Sequence, residues 1–306
     1  MEKNMKINFE YLKRRVEDAL EKTDLEFIRS ELLKIKDASI VSGVGGSSVV
    51  SEFGSKVLNQ KNGIISINCE PRDFLYQGVS GFKNVISCSY SGNNYGVDLS
   101  FDNDLKKYLL SNNPSSSEDV VNLQYQTTID KERSFISLGA TLIPVSILMD
   151  YYLEGEDNKL LDLILEKDFS FEPSHVYEIF SGYDTRTAAK YLESTLVESG
   201  IGIPIVHDKY SYCHGRSTLS TVQQSNAIYF NRGTEFDKMM VEELKQYYQE
   251  VIVINSKSRE QVIDDFQMLV QAMYLTKYLA EKQSKDLSKV EYSPVNKKLY
   301  KYSGQI

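Results

Sequence analysis

Ile40-Val41-Ser42-Gly43-Val44-Gly45-Gly46-Ser47-Ser48-Val49-Val50 passes from a short β-branched run, through a turn of glycine and serine, into a helical pattern that Phe53 and Val57 continue. A strand that hands over to a helix in this way is the opening unit of an α/β sheet. The second half restarts the pattern. Ile179-Phe180-Ser181-Gly182, followed by Ala188, Ala189 and Leu192, repeats Ile40-Val41-Ser42-Gly43, followed by Val49, Val50 and Phe53, at a constant offset of 139 residues. This internal repeat predicts two α/β units of similar build.

Outward from that stretch, two amphipathic helices are expected ahead of the first strand. Ile7, Phe9, Leu12, Val16 and Leu20 mark one, Leu25, Ile28, Leu32 and Ile35 the next, and Thr23-Asp24-Leu25-Glu26 between them reads as a capping box. Ile64-Ile65-Ser66-Ile67 and Val85-Ile86-Ser87-Cys88 are short apolar runs of the kind that form buried parallel strands. After Val120-Val121-Asn122-Leu123 a long apolar helix is predicted from about Ser134 to Leu153, bent at Pro144 because an interior proline costs about 3 kcal/mol in a straight helix. Residues 154–175 are charged and weakly patterned, which sets the expected boundary near 165, with domains at 1–165 and 166–306. Ile203-Pro204-Ile205-Val206, Ala227-Ile228-Tyr229-Phe230 and Val251-Ile252-Val253-Ile254 supply later strands, and Val262, Phe266, Leu269, Val270, Met273 and Leu279 a last long helix.

Composition narrows the function. With 306 residues, 41% of them hydrophobic, the chain is long enough for two ordinary domains. Thirty-five basic against 43 acidic residues leave a net charge of −8, which speaks against a nucleic-acid binder that neutralises phosphate backbones but leaves room for a local anion pocket. Cys69, Cys88 and Cys213 are odd in number and far apart, so neither a disulfide framework nor a thiolate zinc site is expected. The charged start lacks the apolar core of a secretion signal, and charged residues break every candidate membrane span. A cytoplasmic protein without membrane contact is the expectation.

Three segments carry residues suited to chemistry. Gly43-Val44-Gly45-Gly46-Ser47-Ser48 lies between strand and helix, where free N–H groups attract anions. The same turn serves equally well with no ligand. A dinucleotide site is disfavoured, since Ser48 stands where the fingerprint wants glycine, although Glu70 lies near the distance of its acidic partner. Ser89-Tyr90-Ser91-Gly92-Asn93-Asn94 directly follows an apolar run, at the strand end where α/β sheets collect ligands, and its hydroxyls and amides suit a phosphate dianion. Finally, Ala188, Leu192 and Leu196 define one face of a helix that Gly200 can end, so Glu198 falls in the last turn. There the negative end of the helix dipole raises a carboxylate pKa toward that of a general base, though a glutamate so placed is commonly just solvated. His214 follows sixteen residues later, in Ser211-Tyr212-Cys213-His214-Gly215-Arg216, and such a histidine is often structural. His207 and His214 suggest a metal pair, but no carboxylate or cysteine at ligand spacing completes it, and no metal or other cofactor is expected.

Taken together, Ser-Tyr-Ser-Gly-Asn after a GxGxS turn, with a helix-end Glu followed sixteen positions on by His-Gly, resembles the tandem sugar isomerase (SIS) domain proteins over nearly the whole chain. In size and motif the resemblance is closest to the bifunctional phosphoglucose/phosphomannose isomerases and to the isomerase half of glucosamine-6-phosphate synthase. It implies an α/β fold of two flavodoxin-like domains, each a parallel sheet sandwiched by helices. It also implies a site for a phosphorylated sugar, with phosphate held by Ser89, Ser91 and Asn94, and Gly45, Gly46, Ser47 and Ser137 near the substrate. Glu198 is implied as the base that shuttles a proton between C1 and C2 through a cis-enediolate, and His214 as the group that opens the sugar ring, donated by the neighbouring subunit of a homodimer. Arg133, or Lys298 in the tail, is implied as the cation over the sugar.

Departures from the pattern are specific. Asn94 stands where the family usually has Thr, and Thr195 where the amidotransferase-linked isomerases keep a Lys. No glutamine-hydrolysing half accompanies these residues, which favours the isomerase proper. Arg216 is unlike the usual patterns and suggests a reader of a substrate carboxylate or second anion. The expected activity is an aldose–ketose isomerase acting on a 6-phosphate sugar. A fructosamine-6-phosphate deglycase and a non-catalytic phosphosugar sensor stand as alternatives.

Overall fold

Ser39–Ser42 (β1) is buried at all four residues, as a central strand covered on both faces must be. The computed structural model of the protein describes residues 9–128, 136–221, 224–256 and 258–288. In it β1 pairs in parallel with Ser66–Cys69 (β2) on one side and Asn84–Cys88 (β3) on the other. Lys106–Ser111 (β4) and Val120–Gln124 (β5) extend this sheet to the order β2-β1-β3-β4-β5. A second all-parallel sheet runs β7-β6-β8-β9, from Val176–Ser181 (β6), Ile203–Asp208 (β7), Asn226–Asn231 (β8) and Val251–Asn255 (β9).

The described helices are α1 (Leu12–Lys22), α2 (Leu25–Leu33), α3 (Ser47–Asn62), α4 (Phe74–Gln77), α5 (Tyr95–Phe101), α6 (Gly139–Leu153), α7 (Asp157–Leu161), α8 (Arg186–Ser199), α9 (Glu235–Leu244) and α10 (Gln261–Lys282). The repeat read in the sequence is a repeat of architecture. β1 and β6 hold equivalent places in their sheets, and the helices that follow them, α3 and α8, begin at Ser47 and Arg186, again 139 apart.

Helices α3, α6, α8 and α10 pack against one another between the sheets, and one apolar core runs from Phe9 through both halves to Leu287. A hydrogen bond and a shared cavity give the direction of α3 against α8: Asn59 Nδ2 donates to Tyr183 Oη just before α8 (2.9 Å), and Glu52 and Lys190 line one cavity. Numbers fall along α3 as they rise along α8, so the helices are antiparallel. Since each helix runs back along the strand before it, the amino edge of the second sheet lies level with the carboxyl edge of the first. A fully buried ion pair, Lys56 with Asp265, ties α3 to α10, and Asp265 also accepts the Ala188 N–H at the start of α8 (3.2 Å).

Several expectations shift. The cap between the first two helices is Asp24, accepting the Phe27 N–H at 3.0 Å, whereas Thr23 closes α1 and its hydroxyl accepts the Gln126 N–H, so the predicted capping box is not formed. β2 lies two residues later than the apolar run at Ile64, because Ile65 is 72% exposed at the sheet's border. β4 and α9 were not expected: Lys106-Lys107 at the start of β4 disguise a strand whose last four residues are buried. Pro144 lies inside α6, which starts at Gly139, later than the expected start near Ser134, because residues 136–138 lie outside the helix. Among the described residues no helix is long and apolar enough to cross a membrane.

Candidate functional site

The carboxyl edge of the first sheet gathers two of the three predicted segments. The turn Gly43–Gly46 leaves β1 and starts α3, with Gly45 exposed at its crest and Ser47 as the first helical residue. Gly46 meets the segment before α6 so closely that a Cβ there would lie 3.0 Å from Ser137 Oγ and 3.6 Å from Thr141 Oγ1. Two hydroxyls thus pack against a bare stretch of backbone, which is why the turn needs a glycine at position 46. Ser137 was expected here; Thr141 was not.

Beside this turn, the loop after β3 is built as a cradle. Ser89 is buried, and its Oγ accepts the Gly92 N–H (3.1 Å) and the Asn94 side-chain amide (2.9 Å). With its acceptor capacity used, the Ser89 hydroxyl has only its proton to offer. Gly92 turns the chain at φ +71°, and a Cβ there would fall 2.3 Å from the Asn113 carbonyl oxygen. Asn113 in turn donates its side-chain amide to the Ser91 carbonyl at 3.1 Å. Asn94, expected to donate to phosphate, instead caps α5: its Oδ1 accepts the Val97 N–H at 3.1 Å while its amide braces Ser89. A single Nδ2–H remains for a ligand. The two loops touch, since a Cβ on Gly96 would lie 2.5 Å from Val44.

The equivalent edge of the second sheet is filled from within. Buried Lys209 donates to Asp237 Oδ1 (2.9 Å), and Asp237 Oδ2 accepts the backbone N–H groups of Arg232 and Thr234 in the loop after β8. Burial alone would raise the Asp237 pKa, but hydrogen bonds from Lys209 and Tyr229 outweigh it and hold the group below its ordinary value. Arg232 is tied to Asp264 at 2.7 Å and Asp184 at 3.3 Å. A protein carboxylate therefore fills the loop after β8, whereas among the described residues no carboxylate accepts from the N–H groups of the loop after β3.

Glu198 lies in the last turn of α8, solvent-accessible as a whole, with its Oε1 accepting from Ser194 Oγ at 2.9 Å. Its pKa is raised chiefly by the protein mass around the carboxyl, with the Ser194 hydrogen bond opposing. The antiparallel register of α3 and α8, continued at about 1.5 Å per residue, brings this turn level with the Val44–Ser47 loop. His214 lies elsewhere. It sits in the exposed turn after β7, its N–H donating to the Ser211 carbonyl (3.0 Å), at the carboxyl edge of the second sheet. Glu198 is at the amino edge, so the length of β7, roughly 20 Å at about 3.3 Å per residue, separates them within one chain.

The histidine held in a structural role is His207, which the sequence offered only as half of a metal pair. It is 1% exposed, its Nε2 lies 2.9 Å from Glu178 Oε2, and its Nδ1 accepts from Arg216 Nε at 2.9 Å. Both ring nitrogens are taken, which leaves none for a metal. Arg216 is corrected by the same contact: its guanidinium turns inward to His207 and to the Val206 carbonyl (3.2 Å), not outward to a substrate carboxylate. Arg133 and Lys298 lie outside the described residues. Glu178, Ser111 and Asn113 escaped the sequence reading. Ser111 ends β4 and Asn113 follows it, so recognising that strand would have exposed them.

No protein-family model and no curated protein sequence matches the chain. Solved structures do. Tagatose-6-phosphate ketose/aldose isomerase from Escherichia coli superposes with a TM-score of 0.76 at 14% identity, over 96% of this chain and 97% of that one. The fold is that of phosphosugar isomerases. The C-terminal domain of glucosamine-fructose-6-phosphate aminotransferase from Francisella tularensis matches with a TM-score of 0.68 at 11% identity, over 94% and 98%. Glucosamine-6-phosphate deaminase from Thermotoga maritima matches at 0.67 and 12%, over 95% and 97%. The phosphosugar-isomerase fold thus spans nearly the whole chain, at identities that carry the architecture alone.

Proposed function

We propose that the protein is a sugar-phosphate aldose–ketose isomerase that works without a cofactor on a 6-phosphate sugar. The observation that carries the reading is the asymmetry of the two sheet edges: the first presents a hydroxyl and amide cradle around Ser89 and Ser91, while the second has its loop after β8 filled by Asp237. A dianion held at the first edge sets the sugar carbons over the Gly45-Gly46-Ser47 turn, beside Ser137 and within the span of the last turn of α8. Glu198, with its raised pKa, takes the proton from the carbon next to the carbonyl and returns it to the neighbouring carbon through a cis-enediolate. Arg133 or Lys298 stabilises the oxyanion that develops.

Ring opening falls to His214 of a second copy, because its own chain holds it a strand's length from Glu198. The strand that leads to it, β7, lies at the edge of its sheet. That same separation favours a second reading, a phosphosugar sensor in which no base and histidine ever meet. Fructose 6-phosphate in deuterated water distinguishes them. The isomerase exchanges hydrogen at C1 and C2, and Glu198→Gln abolishes exchange while binding survives; tight binding with no exchange in the unaltered protein contradicts the reading. A deglycase would instead release an amine from a fructosamine 6-phosphate in the same assay format.

A further inference from the structure

The turn that carries His214 is exposed, yet it is gripped on both sides. Two residues before His214, Tyr212 is buried, edge-on to Phe180 at 4.8 Å, with its hydroxyl 2.7 Å from Tyr248 Oη. Tyr248 Oη donates to Glu178 Oε2 at 2.6 Å. Two residues after His214, Arg216 Nε donates to His207 Nδ1. Because that guanidinium nitrogen is always a donor, His207 Nδ1 must accept, which places the ring proton on Nε2, 2.9 Å from the same Glu178 Oε2. Ser225 Oγ donates to the other carboxylate oxygen at 2.8 Å.

Glu178 is fully buried in β6 and accepts from His207, Ser225 and Tyr248, and the His207 and Tyr248 bonds lead to opposite sides of one exposed turn. Burial, and then the Glu178 carboxylate, hold the Tyr248 proton far above its ordinary pKa, so this arm stays a donor. A carboxylate is an expensive residue to bury in a strand whose neighbours are Tyr177, Ile179 and Phe180, and a core alone would use an apolar side chain there. We propose that Glu178 is a positioning residue that holds the His214 turn in one conformation through two arms, Tyr248–Tyr212 and His207–Arg216. The proposal deepens the isomerase reading and rests on it for the use to which His214 is put: a histidine that must reach a site on another copy works only if its turn is preorganised.

The test uses the full-length protein and two readouts. Amide hydrogen exchange is compared in the unaltered protein and in Arg216→Gln, Tyr248→Phe and Glu178→Gln. Amides of residues 209–217 should exchange about tenfold faster in each variant, with those of β6 and α8 little changed. Unaltered protection of the turn, or equal loosening of the whole second half, overturns the proposal. Arg216→Gln alters a surface side chain, so it keeps the test open if Glu178→Gln fails to fold. In the fructose 6-phosphate assay, Glu178→Gln should lower kcat at unchanged KM and have no further effect in a His214→Asn background. Multiplying effects would contradict action through His214. If the unaltered protein shows no exchange at all, the isomerase reading fails by itself, and the amide measurement still decides the bracket.

Discussion

A phosphate cradle can be made without a buried cation only if every hydroxyl and amide in it has a settled role. Ser89 has its acceptor side filled by Gly92 and Asn94 and is left to donate, while Asn94 spends its oxygen on the cap of α5. Asn94 thereby serves the loop twice, as the cap of α5 and as the brace of Ser89. Glu198 shows the complementary case. Its raised pKa comes chiefly from desolvation, with the Ser194 hydrogen bond opposing. As a base it acts when deprotonated, so activity should fall as pH drops through that raised value. The acid limb of kcat/KM for fructose 6-phosphate is therefore expected above the ordinary glutamate range near 4.5. A limb at or below that value would remove Glu198 as the titrating base. Reading the last turn of α8 required only its periodicity. Reading the solvation of its carboxyl required the packing of neighbours that no local pattern encodes.

Among the elements, the strand-turn-helix units were legible because a buried parallel strand is a compact apolar run and the following glycines mark its end. β4 was missed for a physical reason: its first two residues are lysines at the border of the sheet, and only Tyr108–Ser111 are buried. With β4 unseen, Ser111 and Asn113 could not be recognised as the wall behind Gly92. That wall makes a clear prediction. Gly92→Ala must give up φ +71° or push aside the Asn113 carbonyl, a strain of roughly 1–3 kcal/mol. It should lower stability by about that amount and weaken phosphate binding by at least tenfold in calorimetry. Unchanged affinity would show that the loop does not hold the dianion. The short element before α2 teaches the opposite lesson: Thr23 and Asp24 are both capping residues by type, and only the observed bonds show that Asp24 caps while Thr23 reaches β5's exit at Gln126.

At the scale of the whole molecule, the 139-residue repeat gives two similar sheets, but the two halves have diverged in what fills their edges, and it is the antiparallel contact of α3 with α8 that turns two folds into one site. Lys56 and Asp265 lock that contact. Lys56→Met strands a buried carboxylate and should cost about 3–5 kcal/mol in urea denaturation, whereas Lys56→Met with Asp265→Leu should recover much of the loss. A single variant as stable as the parent would mean that the pair does not bind the halves together. The strand read at Ile203–Val206 between Glu198 and His214 already sets them at opposite ends of one strand, and the directions of β6, α8 and β7 show which edge each occupies. Subunit mixing tests the resulting account most directly. Glu198→Gln homodimers, silent alone in fructose 6-phosphate exchange, and His214→Asn homodimers, left with only a small residual rate, are unfolded together and refolded at equal amounts. If one copy supplies the cradle and base and the other the histidine, mixed dimers carry one intact site and roughly a quarter of the unaltered activity returns. No recovery, with mixed dimers shown to be present, would contradict the shared site.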